Sequence, residues 1–82
     1  MTADQAWQDA HKTATHIQND CYNVDAPDSG NRVTLYVFDN RKRGADRARR
    51  GFHFRLGNKN LNPNAAQKRA LNYARKLGVM KR

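Results

Sequence analysis

The chain has 82 residues and carries 16 Lys and Arg against seven Asp and Glu, a net charge of +9 with a pI near 10.5. That length allows one small domain burying about 60% of its unfolded surface, and excludes a second core. Hydrophobic residues are 38% of the chain and mean hydropathy is −1.06, so no run of about 18 apolar residues exists to span a bilayer.

The N-terminus carries Asp4 and Asp9 and no apolar stretch, so a secretory signal is not expected. It reads instead as a helix from about Ala3 to Cys21. Thr2 and Gln5 have the spacing of a capping box, which satisfies early backbone N–H groups. Ala3, Trp7, Ala10, Ala14, Ile17 and Cys21 step by fours and threes, a helical stripe of mostly small residues suited to close packing on a sheet. Cys21 is the only cysteine. It cannot form an internal disulfide, which fits a reducing, cytoplasmic setting, nucleoid-associated if the source is bacterial.

Residues 26–31, Ala-Pro-Asp-Ser-Gly-Asn, concentrate turn-forming types. A strand is expected at Arg32–Phe38, with Val33, Leu35 and Val37 on one face and Arg32, Thr34, Tyr36 and Phe38 on the other. A second strand at Gly51–Leu56 places Phe52, Phe54 and Leu56 on the apolar face and His53 and Arg55 on its reverse. Between them, residues 41–50 read RKRGADRARR, six cations in ten residues, too long for a two-residue hairpin turn. Asn62 and Pro63 then suit a helix start, and Gly78 suits a left-handed C-terminal cap. The inward stripe of that helix is Ala66, Ala70, Tyr73, Ala74 and Leu77, with Leu71 at its margin.

The expected fold is therefore α+β: a small antiparallel sheet with a long basic hairpin loop, flanked by an N-terminal and a C-terminal helix in the order α-β-β-α. Two strands alone are poor at independent stability. A third would come from Tyr22–Val24, from Lys59–Leu61 or from a partner subunit, and a homodimer would complete the thin core. The expected core is Trp7, Ile17, Val33, Leu35, Val37, Phe52, Phe54, Leu56, Leu71 and Leu77.

Charge divides the chain. Residues 1–31 hold Lys12 against five Asp, a net −4, while residues 32–82 hold the other 15 cations against Asp39 and Asp46, a net +13. This makes 1–31 an acidic helical part, able to recruit a protein partner, and 32–82 a basic ββα part facing a polyanion. Six cations in a loop repel one another unless an anion lies among them. Arg41, Lys42, Arg43, Arg47, Arg49 and Arg50 are accordingly the expected phosphate contacts. Arginines interleaved with rings on the sheet give Arg32, Tyr36, His53 and Arg55 as contacts to phosphates, base edges or stacked bases. Lys68, Arg75 and Lys76 extend the footprint along the last helix, where they also complement its dipole.

Two arrangements compete for the sheet's reverse face. If the first helix covered Tyr36 and Phe38, both faces would be core and no open surface would remain. No zinc-type spacing, nucleotide-binding Gly loop, nucleophile motif or paired carboxylate is found, so no metal, no cofactor and no catalytic residue is expected. His53 beside Arg55 and Tyr36 keeps one enzymatic alternative, a metal-independent ribonuclease. A further alternative is a small phage- or plasmid-type inhibitor or adaptor that docks on a host nucleic-acid machine.

The strand VTLYVF, the basic stretch, the strand end FRLGN and the helix NAAQKRALNYARKL, all within residues 33–77, resemble the arm-type DNA-binding module of tyrosine recombinases. The resemblance implies a small sheet set against the DNA major groove and backed by a helix. It would put Arg55, Tyr36 and the basic loop at the DNA. No recombinase catalytic domain accompanies it, so recombination is not implied. The function expected is non-enzymatic nucleic-acid binding, with DNA ahead of RNA and no membrane partner.

Overall fold

The computed structural model describes residues 2–44, 48–55 and 63–81. Their order is α1 (Ala3–Ala14), β1 (Tyr22–Asp25), β2 (Arg32–Val37), β3 (Arg50–Arg55) and α2 (Pro63–Leu77). The α+β class holds, but the order is α-β-β-β-α. The third strand is the Tyr22 segment, and it makes an antiparallel sheet of order β1-β2-β3. Leu56, Lys59–Leu61, Asn62, Asp46 and Arg47 lie outside the described residues.

The capping box at the head of α1 is complete: Gln5 N donates to Thr2 Oγ1 at 3.1 Å and Thr2 N donates to Gln5 Oε1 at 2.8 Å. The helix stops at Ala14, seven residues before the end expected from the apolar stripe. Thr15 caps it, and successive i→i−3 bonds from Thr15, His16 and Ile17 tighten the chain out of the α-helix. Ile17 then forms an antiparallel bridge with Met80, flanked by Gln18 N to Val79 O and Lys81 N to His16 O, each 2.8 Å. Ile17 and Cys21 are fully buried all the same. Their spacing marks a buried side of the chain, not a continuing helix.

Both helices pack on one face of the sheet. Each does so through alanines at i, i+4 and i+8, Ala6-Ala10-Ala14 and Ala66-Ala70-Ala74, all buried. Alanine at these positions lets a helix axis approach closely without opening voids. Ala14, Ala70 and Ala74 meet Leu35, Val37 and Phe52, while Ala6, Ala10 and Ala66 meet Val33 and Phe54. Trp7, expected as a core anchor, is half-buried beside that second group, across the sheet from Tyr36. Leu71 and Leu77 are also only half-buried. Gly78, at φ +76°, ends α2 in the left-handed conformation the sequence predicts.

Asp39 is the buried charge of this core edge, 4% exposed. Its Oδ1 accepts from Arg41 N at 3.0 Å and Arg41 Nε at 2.9 Å, and its Oδ2 accepts from Arg41 Nη2 at 3.0 Å. The same Nη2 donates to Leu77 O at 3.1 Å, tying the end of β2 to the end of α2. These bonds from the Arg41 side chain and backbone hold the Asp39 carboxyl down to about 2. A carboxyl whose folded value lies below its unfolded value of about 3.9 stabilises the fold above that value. The contribution is lost as pH falls from about 4 through 2. Asp28 is lowered too and adds to the same acid limb. Asp39→Asn should therefore reduce stability at neutral pH and flatten the loss between about pH 4 and pH 2, measured by urea unfolding at each pH.

Candidate nucleic-acid interface

With both helices on one side, the reverse of the sheet is open. The register sets Arg32 opposite Arg55, Thr34 opposite His53 and Tyr36 opposite Gly51, with Asn23 and Asp25 of β1 beside Tyr36 and Thr34. Arg32, His53 and Arg55 are exposed; Thr34, Tyr36 and Phe38 are half-buried. The arrangement with helices on both faces is thus excluded, and this face is not core.

Tyr36 lies across the sheet and not up from it, because its neighbour on β3 is glycine. A Cβ built on Gly51 would meet Tyr36 Cε1 at 2.8 Å and Cδ1 at 3.1 Å, with Thr34 Cγ2 at 3.3 Å. On the ring sits the Arg49 guanidinium, 4.3 Å from its centroid. The ring's face holds one guanidinium over the sheet. Gly51→Ala should displace the ring and Arg49 with it, while costing little stability, since alanine suits a strand better than glycine. If this face binds nucleic acid, the substitution should weaken binding roughly three- to tenfold by fluorescence anisotropy, in line with the loss of one stacking or cation–π contact. Unchanged affinity would remove Tyr36 from the interface.

At the other end of the face, Arg32 and Arg55 are like charges placed opposite one another, which is unfavourable without a counterion. Asp28 supplies part of it. Arg32 Nε donates to Asp28 Oδ2 at 3.0 Å, and Arg32 N and Gly30 N donate to Oδ1 at 3.0 and 2.8 Å. The backbone bond from Arg32 leads in holding the Asp28 carboxyl below its ordinary range. The Arg55 guanidinium rests near Gly30, whose added Cβ would lie 3.6 Å from its Cζ. Among the described residues Arg55 makes no ion pair.

The basic loop is described on both its flanks. Lys42 and Arg43 are exposed on one side, Arg49 and Arg50 on the other. Arg41 differs from the other described loop cations, since its Nε and Nη2 are engaged by Asp39 and Leu77. Tyr73 anchors the returning limb by donating its hydroxyl to Ala48 O. Arg50 lies against the Phe52 and Tyr73 rings, 5.3 and 5.6 Å from their centroids.

On α2, Lys68, Arg75 and Lys76 are exposed, with Arg75 Nη1 donating to Asn72 Oδ1 at 2.9 Å. The structure adds the exposed Arg69 to these. Two shallow depressions run between β3 and α2. One, of about 200 Å³, is lined by Arg50, Gly51, Phe52, His53 and Arg69. The other, of about 240 Å³, is lined by Arg50, Phe52, Arg69, Asn72, Tyr73 and Lys76. Arg69, Asn72, Tyr73 and Lys76 recur at i, i+3, i+4 and i+7, a helical face that the sequence itself displays.

The fold and this face define a small α+β domain with one open, arginine-rich sheet surface. No helix among the described residues is long and apolar enough to cross a membrane. No protein-family model matches the chain, and no curated protein or solved structure is significantly similar to it.

Proposed function

We propose that this protein binds nucleic acid without chemistry of its own, DNA in preference to RNA, through the outer sheet face and the basic loop beside it. The observation that carries this reading is the uncovered face on which Arg32, Arg55 and the Arg49–Tyr36 pair line up across β2 and β3. A line of guanidinium groups separated by a ring and a hydroxyl matches a phosphate chain with sugars and bases between its charges. The preference for DNA rests on the likeness of residues 33–77 to a sheet-reading DNA module. A nuclease would need a second acid–base group near His53, and the described neighbours Thr34, Arg50, Gly51, Phe52 and Arg69 supply no carboxylate or imidazole.

The test is binding to duplex DNA, single-stranded DNA and RNA over a range of salt. Six phosphates neutralised on duplex DNA give a slope of log affinity on log salt of about −5. A slope near zero would remove the electrostatic account. Binding to none of the three would turn the reading toward a protein-directed inhibitor or adaptor working through the acidic N-terminal part.

A further inference from the structure

We propose that the trough between β3 and α2 is a second phosphodiester site, holding the backbone of one strand as it leaves the sheet face and turns the β3 edge. The inference rests on the nucleic-acid reading above and extends it to a surface built around Arg69. The two depressions share Arg50, Phe52 and Arg69, so they form one continuous trough. Arg50, Arg69 and Lys76 supply three cations. Among the described residues no carboxylate lines the trough, and none of the three makes an ion pair.

Three cations around one concave surface repel each other in the free protein, and an anion relieves that repulsion. The shape selects the anion. Both depressions are open and shallow, unlike the clefts that bury most of a small molecule's surface. Arg69 and Lys76 stand seven residues apart on α2, about 10 Å along its axis. A DNA strand rises about 3.4 Å per phosphate along the duplex axis, and neighbouring phosphates lie farther apart than that along the winding backbone, so the interval matches neighbouring phosphates better than a single compact anion. The Phe52 and Tyr73 rings form an apolar floor between the charges, where a sugar can rest. Arg50 is already held against both rings.

Continuity with the sheet face comes from β3 itself, the edge strand of the sheet. His53 stands opposite Thr34 on the outer face and also lines the trough; Gly51 lies under Tyr36 and also lines it. A strand crossing Tyr36 therefore reaches the trough by passing over Gly51 and beside His53.

The test compares two charge-matched double variants of the full chain in anisotropy titrations against a labelled 16-base-pair duplex and its single strand. Arg69→Ala/Lys76→Ala removes two trough cations; Lys12→Ala/Lys81→Ala removes two exposed cations elsewhere. All four residues are exposed, and circular dichroism verifies folding. The trough variant should make the duplex salt slope less negative by about 2, equally for unrelated sequences, with the control near wild type. Equal slopes and affinities for the two double variants, with wild type still binding, would overturn the trough and leave the sheet-face reading standing. Wild type binding neither duplex nor single strand would overturn both.

Discussion

Phe54→Ala should remove most of the protein's stability. Phe54 heads the fully buried side chains by volume and is 1% exposed, packed with Val33 against Ala6, Ala10 and Ala66. Truncating a buried phenylalanine costs about 3–5 kcal/mol, through lost transfer energy and the cavity left behind. Here the cavity cannot close cheaply. Its walls are alanines on two helices, and backbone would have to move to fill the space. A domain of this size has total stability toward the low end of roughly 5–15 kcal/mol. The melting temperature should drop by more than about 12 °C, read by circular dichroism. A drop of only a few degrees would mean that the two helices do not clamp the sheet as described. Ala70→Leu probes the same packing from the other direction. Forcing a larger side chain between α2 and the sheet should cost about 1–3 kcal/mol.

Much of this fold is legible in the residues, for local reasons. The capping box at Thr2 and Gln5, the alternation of Val33, Leu35 and Val37, and Gly78 all encode their conformations within a few positions. The end of α1 is not local in this way. Residues 16–18 leave the helix to pair with residues 79–81, more than 60 positions away, while Ile17 and Cys21 keep a burial spacing that imitates a helix. The third strand was ambiguous because Tyr22–Asp25 is short and polar at alternate positions, and only its pairing with β2 makes it a strand.

The candidate site divides along the same line. Arg32, Tyr36, His53 and Arg55 share a face because strand periodicity is two, which the sequence states directly. Which side the helices cover depends on tertiary packing, and the pattern alone left both arrangements open. Arg41 reads as one more cation of a basic loop. Its engagement with a buried aspartate and a helix end depends on chain returning from Leu77. Arg69 shares a helix face with Lys76 through an i, i+3, i+4, i+7 relation to Asn72, Tyr73 and Lys76 that is plain in the sequence, but that this face borders β3 depends on tertiary packing.

That division yields the largest expected effect on binding. Replacing Arg32, Arg49 and Arg55 together with alanine should abolish most affinity while leaving the domain folded. All three are exposed, and their removal also relieves the Arg32–Arg55 repulsion across the strands. At about 1 kcal/mol for each charge-assisted contact, the loss is about 3 kcal/mol, on the order of a hundredfold in dissociation constant. The salt slope should become less negative by about 3, because each abandoned phosphate keeps its condensed counterions. Arg41→Ala provides the contrast within the same charge class. It removes one cation but also strips the buried Asp39 of its guanidinium and Leu77 O of a donor, so stability should fall. Under conditions where the folded state still predominates, its salt slope should stay close to wild type. Equal loss per charge removed in Arg41→Ala and the triple variant, at full folding, would mean that net charge alone governs binding and that the open face has no special part in it.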